Sequence, residues 1–324
     1  MCLYIPVERL RRGRGTPPTS VVERALIRDG FMSRLLTVCC VASQVLAVIL
    51  LLPAGASARD PASLAEALAA GDVHYARRAE RARGGAAEPS HADGAILEYR
   101  RALAIDPGSY QARLRLLRAY FFRGGFCGAM DPAEKKRLFD DAKLVAEETV
   151  RKLDADLKRV KGRVDPGVAR QVAPAAEAYV WAAVSWGQWA VFHKLNAAWT
   201  GAPGRIRDLA QAVIAIDPKA AQGAGYLILG RLHAEAPRIP LVTGWVSREE
   251  GIANLRLGLQ QAPDNSALSY FLGDALLRLD PTKGAEARAL LERTAAVAPR
   301  PGYEVEDAHY AEMATARLAS LRGK

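Results

Sequence analysis

The sequence has few of the residues that build disulfide frameworks and metal centres. Its 324 residues include only four cysteines and five histidines. Cys2, Cys39 and Cys40 lie near the N-terminus, so Cys127 has no disulfide partner in the body of the chain. The histidines are scattered, with no His-Glu-x-x-His pattern, which argues against a zinc site. We therefore expect no metal and no cofactor.

The chain also lacks the alternating pattern of β-strands and the common catalytic motifs. It contains no Gly-x-Ser-x-Gly, no Walker A sequence and no Gly-x-Gly-x-x-Gly after a strand. The adjacent carboxylates Asp140-Asp141 and Glu249-Glu250 do not face each other on a helix, so neither pair makes a catalytic dyad. The sequence predicts a protein without catalysis.

An excess of positive charge is present but modest. The formal net charge is +10. The first 58 residues contribute seven arginines against three acidic residues, which leaves about +6 for the rest of the chain. There the basic residues are dispersed among acids, without a basic patch interleaved with aromatics, so nucleic acid is not an expected partner.

Residues 32–58 have the pattern of a secretory signal peptide. Arg34 precedes a long apolar run, and Ala56-Ser57-Ala58 forms an A-x-A cleavage site, so we expect cleavage after Ala58 and a periplasmic or secreted protein. The alternative is a membrane anchor through residues 35–53. A lipoprotein site at Cys39 is disfavoured because Val38 is too bulky before it.

Residues 1–31 fit poorly in front of a signal peptide. We expect them to be an upstream leader, with the true start at Met32. A mitochondrial presequence is the alternative for this arginine-rich segment, but Glu8, Glu23 and Asp29 argue against it. Residues 59–324 then form a single helical-repeat domain.

Helical periodicity runs from residue 60 to the C-terminus and is interrupted by glycine and proline. The breaks separate roughly ten to eleven helices, which predicts an all-α fold. An Asp or Ser before Pro is expected to start a helix, because the side chain caps free amides and proline fits the first turn. The breaks fall at Gly84-Gly85, Asp106-Pro107, Gly124-Gly125, Asp131-Pro132, Asp165-Pro166, 201–204, Asp217-Pro218, 237–240, Ala262-Pro263, Asp280-Pro281 and 299–301.

The segment AILEYRRALAIDP matches the second helix of a tetratricopeptide repeat. Ala95 and Ala102 allow two antiparallel helices to approach, Tyr99 fills the gap, and Pro107 ends the helix. We expect antiparallel helix pairs of degenerate tetratricopeptide repeats, stacked as a compact α-solenoid. A generic α-bundle is the alternative. Degenerate copies of the helix-then-proline ending recur at Pro218, Pro263 and Pro299.

Four of the five tryptophans fall within residues 178–199. On one continuous helix, at about 100° per residue, six aromatic residues share an arc of about 160°. The arc contains Tyr179, Trp181, Trp186, Trp189, Phe192 and Trp199, and the opposite side contains Val180, Ala183, Gly187, Ala190 and Ala198. Such a helix is a core helix, the wall of an apolar ligand cavity, or an oligomer interface. The uncharged stretch from Ala178 to Phe192 is too short to span a membrane.

Several segments spread over most of residues 66–320 share the pattern of one family. They are GDVHYARRAE, AILEYRRALAIDP, YVWAAVSWGQW, AAQGAGYLILGRLHAEAPRIPLVTGW and REEGIANLRLGLQQAPDNSALSYFLGDALLR. Together they resemble the TatT family, the T component of tripartite ATP-independent periplasmic (TRAP) transporters. The more specific positions are Gly225-Tyr226, Leu229-Gly230, Pro237, Pro240 and Gly244-Trp245.

This chain departs from the family at two places. Its lipoprotein site at Cys39 is poor, whereas family members are often lipoproteins. Trp245 stands where a small residue is expected, which would narrow or close a pore. The eukaryotic regulator-of-microtubule-dynamics family has a similar helical core, but the bacterial-looking signal at Met32 argues against it.

The resemblance implies a periplasmic protein, soluble or lipid-anchored, that can form a homo-trimer. It implies pairing with the substrate-binding (P) protein of a TRAP system, and a hydrophobic ligand held in or passed through a pore in each subunit. The aromatic arc and the family pattern together lead us to expect an apolar cavity lined by Trp181, Trp186, Trp189, Tyr226 and Trp245. The alternative is a tetratricopeptide-type scaffold that binds a protein or peptide on its concave face and takes no small-molecule ligand.

Overall fold

The computed structural model describes residues 61–157, 165–171 and 174–322. These residues form helices and turns without a β-strand, which confirms the all-α prediction. Eleven of the thirteen α-helices in this part of the chain are longer than six residues. In order they are α1 (Pro61–Ala76), α2 (Pro89–Ile105), α3 (Tyr110–Phe126), α4 (Pro132–Asp156), α5 (Pro166–Gln171), α6 (Ala175–Phe192), α7 (Lys194–Trp199), α8 (Ala202–Ile216), α9 (Ala220–Glu235), α10 (Arg248–Gln261), α11 (Ser266–Leu279), α12 (Gly284–Ala295) and α13 (Glu304–Arg322).

The longer helices pack as successive pairs, as expected for a helical-repeat solenoid. The pairs are α1 with α2, α3 with α4, α6 with α8, α9 with α10 and α11 with α12, and each pair also contacts the next. Polar side chains define several helix starts. Ser109, Asp131, Ser247 and Asn265 each accept a hydrogen bond from at least one first-turn amide, which stabilises these helix ends.

The alanine and tyrosine pattern of α2 packs as the repeat signature predicts. Ala95, Tyr99 and Ala102 are fully buried. The Tyr99 ring lies over Gly71 of α1, where an added Cβ would be 2.4 Å from Tyr99 Cε1. The Tyr99 hydroxyl donates to Asp72 Oδ1 at 2.7 Å. A small residue on one helix therefore accepts the ring of its neighbour, and this part of the prediction is confirmed.

Three of the predicted breaks differ in detail from the structure. The Gly124-Gly125 pair does not break a helix, because α3 continues to Phe126. A Cβ at Gly124 would lie 2.4 Å from Phe139 Cζ of α4, so this glycine serves the close crossing of two helices. The aspartates of Asp106-Pro107 and Asp217-Pro218 end α2 and α8 instead of starting the next helix, and each donates its N–H to the last turn.

The last helix returns to the first helix pair. Gly85, in the loop after α1, donates its N–H to Glu312 Oε1 of α13 at 2.9 Å. Arg78 of the same loop pairs with Glu306 of α13 at 3.6 Å, and α13 also contacts α3. Glycine is required at position 85 because an added Cβ would be 2.3 Å from His309 Cα. The array of helix pairs therefore closes on its own beginning.

The predicted N-terminal segments lie outside the described residues. These are the leader of residues 1–31, the signal peptide of residues 32–58 and the alternative anchor of residues 35–53. Among the helices that the structure describes, none combines the length and the hydropathy needed to cross a bilayer. The described part of the predicted domain 59–324 falls in one unit with a continuous hydrophobic core.

Candidate functional site

The closed arrangement brings one helix of each later repeat around a common interior. The helices α3, α6, α9, α11 and α13 form a circuit. Each helix contacts the next one named, and α13 contacts α3. We call this set the helix circuit. Its closure depends on α13, because α13 contacts both α3 and α11.

Aromatic side chains connect the members of the helix circuit. Phe121 of α3 lies 6.0 Å from Trp181 of α6, measured between ring centroids. Phe126 of α3 lies 6.4 Å from Tyr310 of α13, and Tyr310 lies 5.9 Å from Phe271 of α11. These five rings, here named the interior rings, are at most 7% exposed. The interior between the repeats is therefore aromatic and closely packed.

A buried arginine extends this row of rings to α9. The guanidinium of Arg231 lies 3.8 Å from the centroid of Phe271, and the residue is 2% exposed. Two of its nitrogens donate to the two carboxylate oxygens of Glu235, each at 2.8 Å. The bidentate carboxylate compensates for burial of the charge. The interior thus combines apolar surface with a fixed cation.

Trp181 is the predicted site residue that belongs to the interior rings. Its indole Nε1 donates to Glu177 Oε1 one turn earlier in α6, at 3.2 Å. That hydrogen bond satisfies the polar end of the indole, while its ring faces Phe121. Trp181 thus lies in the packed interior, and its predicted role in lining an apolar ligand cavity stays a prediction.

Trp186 and Trp189 pack instead against α4. Their centroids are 5.6 Å apart, and Lys143 Nζ of α4 lies 4.2 Å and 4.9 Å from the two rings. Trp189 also stacks on His193 at 4.5 Å. The Nε2 of His193 lies 2.6 Å from Asp140 Oδ1 of α4. These two tryptophans occupy the contact between α4 and α6.

The single aromatic arc expected over residues 178–199 is wrong beyond Phe192. The helix ends there because His193 has non-helical dihedral angles, with φ −121° and ψ 41°. Trp199 lies in the separate short helix α7 and is 89% exposed. The expected two-faced helix is also surrounded, because α6 contacts α3, α4, α8 and α9.

Tyr226 and Trp245 lie in two further places. Tyr226 is half-buried on α9, facing Gly258 of α10, where an added Cβ would be 3.0 Å from Tyr226 Cβ. Trp245 is half-buried in the loop between α9 and α10. Its ring lies 5.3 Å from that of His233 and 4.4 Å from the Arg207 guanidinium.

The five predicted residues are not all brought together. Trp186 and Trp189 contact each other. Among the described residues, no ring contact joins them to Trp181, Tyr226 or Trp245. The sequence reasoning missed Phe121, Phe126, Phe271, Tyr310 and Arg231. The aromatic clusters YFFRGGF in α3 and SYF in α11 could have signalled Phe121, Phe126 and Phe271, whereas no local cluster marks Tyr310 or Arg231.

The described residues hold no group that suggests metal or thiol chemistry. No three His, Cys, Asp or Glu side chains of this part of the chain lie close enough to hold a metal ion. Cys127 is a free thiol, and burial raises its pKa to about 12. A thiol with this pKa is protonated near neutral pH and is a poor nucleophile.

Two comparisons with known proteins identify no relative of this chain. No protein-family model matches the chain. A search of curated proteins gives no significant match. The paired helices and the interior between them define an all-α helical-repeat protein.

Proposed function

We propose that this chain is an exported, non-catalytic helical-repeat binding protein that acts like the T component of a TRAP transporter. The observation that carries the proposal is the helix circuit, closed by α13 around aromatic rings and a buried arginine. Helical-repeat proteins bury their core between neighbours and use the surface between repeats to bind partners. In this role the chain binds the substrate-binding protein of its transporter.

The interior rings also favour a hydrophobic ligand. Aromatic side chains offer large apolar contact areas, and ligand sites are commonly apolar with a few fixed polar groups. Here the polar groups are supplied by Arg231 and Glu235 beside Phe271. Because these rings pack on one another, a ligand must displace some ring contacts to enter.

Binding of a fluorescent fatty-acid probe tests the ligand part of the proposal. We expect the probe to bind the wild-type protein and to bind Trp181→Ala or Phe271→Ala more weakly, because both remove interior rings. Trp199→Ala is the matched control, because its ring is 89% exposed and lies outside the helix circuit. The double variant Trp186→Ala/Trp189→Ala tests whether the α4 contact takes part. If every folded variant binds the probe like the wild type, neither the interior rings nor the tryptophans at the α4 contact form a ligand site.

The partner is tested with a purified TRAP substrate-binding protein from the same organism. Sedimentation velocity of the mixture should show a complex larger than either protein, and the chain alone should show whether it forms the homo-trimer that the resemblance implies. No complex with any such substrate-binding protein would contradict the transporter role.

A scaffold for protein or peptide is the second candidate, and the close packing of the interior favours it. All five interior rings are at most 7% exposed. A scaffold has no need of an interior ligand site, and its partner lies on the outer surface. Partner binding without fatty-acid binding is the result that distinguishes this candidate.

A further inference from the structure

Three successive residues at the start of α9 have a left-handed backbone conformation. Their φ and ψ angles are 45° and 45° at Ala221, 60° and 48° at Gln222, and 76° and 24° at Gly223. Residues with a Cβ enter this region rarely, and then singly, because the Cβ crowds the backbone. Only Gly223 avoids this cost. Ala221 and Gln222 are therefore strained in the folded protein.

Side chains from later in the chain hold this left-handed turn at Gln222. Asn265 Nδ2 donates to the Gln222 carbonyl oxygen at 2.9 Å, and Arg300 Nη1 donates to Gln222 Oε1 at 2.8 Å. Strain of this kind persists only where the surrounding contacts impose it. Because Arg300 lies just before α13, one of the two contacts depends on closure of the array.

Arg300 and Asp307 form an ion pair within the segment that closes the array. We name residues 300–322 the closing segment. Asp307 accepts hydrogen bonds from the backbone nitrogen and two side-chain nitrogens of Arg300. The pair is bound to the rest of the protein by Gln222 and Ser266. Movement of the closing segment would therefore break these two hydrogen bonds without leaving a buried charge unpaired.

The closing segment is held to the first helices by few bonds. Its helix α13 makes one of the smallest helix contacts of the described chain with α3. Glu312 accepts from the Gly85 amide at 2.9 Å, Glu306 lies 3.6 Å from Arg78, and Arg78 also donates to the Gly302 carbonyl oxygen. The remaining contacts are between rings of α3 and α13. Closure thus rests on a limited set of contacts.

We propose that the closing segment opens and closes reversibly, and that the left-handed turn favours its open state. On opening, Gln222 loses Arg300, and Ala221 and Gln222 return to a right-handed conformation, which relieves the strain. Openings of this kind occur at free energies below that of global unfolding. The open state uncovers Phe126 and Tyr310, which gives a ligand a route to the interior rings. Only this last consequence rests on the proposed function.

Hydrogen exchange at the Gly85 amide, followed by NMR, reports the opening, because this amide donates to Glu312 of the closing segment. Ala221→Gly removes strain from the closed state and disfavours a right-handed helical turn in the open state. It should therefore slow Gly85 exchange by about fivefold or more. The matched control is Ala215→Gly, at an exposed position in the regular helix α8, which should not slow this exchange.

A double variant tests whether the ion pair holds the turn. Asp307→Asn weakens the support of Arg300, so Gly85 exchange should become faster. In that background the turn is already free to relax, and adding Ala221→Gly should change the exchange rate by less than about twofold. If Asp307→Asn does not fold, Ser266→Ala replaces it, because it removes only the hydroxyl that donates to Asp307.

Each contrary result identifies what fails. If Gly85 exchanges in the wild type only as fast as global unfolding in urea allows, the closing segment does not open separately. If Ala221→Gly leaves the exchange rate unchanged or raises it, the turn does not oppose closure. If Ala221→Gly slows exchange equally with and without Asp307→Asn, the ion pair does not hold the turn. Any of these results overturns the proposal, whereas a failure to bind a fatty-acid probe or a partner leaves it intact.

Discussion

At the scale of single residues, buried charges are satisfied by partners from distant parts of the chain. Asp307 of α13 is fully buried and accepts hydrogen bonds from Ser266 Oγ at 2.6 Å and from three nitrogens of Arg300. Arg300 also donates to Gln222 Oε1 at 2.8 Å. This network joins the starts of α9 and α11 to α13, so it supports the closed arrangement.

Asp307→Asn should lower the free energy of unfolding by about 3 kcal/mol at pH 7, because it leaves Arg300 without its carboxylate. Urea denaturation followed by circular dichroism measures the change. The control is Asp208→Asn, which removes an exposed pair with Arg207 and should change stability by less than about 1 kcal/mol. Equal effects of the two substitutions would contradict this description of the network.

The same carboxylate gives a pH dependence. Burial alone would raise the pKa of Asp307, but hydrogen bonds from Arg300 and Ser266 outweigh burial and lower it. The folded pKa thus lies below the unfolded value of about 4, so the stabilisation is complete above that pH and is lost as the pH falls through the folded pKa. The difference in urea midpoint between wild type and Asp307→Asn should therefore shrink as the pH is lowered below about 4.

Substitution by alanine should destabilise the protein much more at Trp189 than at Trp199. Trp189→Ala removes a ring that packs on Trp186, His193 and Lys143, and should cost about 3–5 kcal/mol. Trp199→Ala removes an exposed ring and should change stability by less than about 0.5 kcal/mol. Thermal and urea unfolding of the two variants measure this. A large loss from Trp199→Ala would place its ring in a contact that the structure does not show.

At the scale of helices, close approach depends on glycine. A Cβ at Gly230 of α9 would lie 2.7 Å from Leu255 Cγ and 3.0 Å from Leu255 N, so α9 and α10 touch at this position. Gly251 of α10 makes the reciprocal approach, because its added Cβ would be 3.0 Å from Ala234 N. The Leu-Gly pattern in the sequence therefore marks a helix crossing.

Gly230→Ala should destabilise the protein by about 1–3 kcal/mol, because backbone atoms of α10 cannot move aside easily. The matched control is Gly204→Ala in α8, where an added Cβ meets nothing within 4 Å. That substitution should be neutral or stabilise by up to about 1 kcal/mol, since alanine is the better helix former. The urea midpoints of the two variants, compared with that of the wild type, measure both changes. Stabilisation by Gly230→Ala would contradict this close approach, because the two helices would then have room for an added methyl group.

The helix scale also shows what the sequence could predict. Local spacing was enough for the helix pairs and for Tyr99 packing on α1, because these depend on residues close in the chain. The end of α6 was not predictable, since His193 there binds Asp140, 53 residues earlier. Except for Trp181, the interior rings were missed for the same reason: Phe126 and Tyr310, for example, meet only because the array closes.

At the scale of the whole molecule, closure by α13 is the feature on which the account depends. It turns a row of helix pairs into a circuit, brings interior rings of α3, α11 and α13 into contact, and places Arg78 beside Glu306. An open array would remove the contact between Phe126 and Tyr310. The proposed ligand site lies within this closed region.

Hydrogen exchange at the amide of Gly85, followed by NMR, tests closure most directly. This loop amide donates to Glu312 of α13, 227 residues away. We predict slow exchange of this amide in the wild type and much faster exchange in Glu312→Ala. The amide of Gly108, which donates to the nearby Asp106, should exchange equally in both proteins. An equally fast exchange of Gly85 in the wild type and in Glu312→Ala would contradict the closed array.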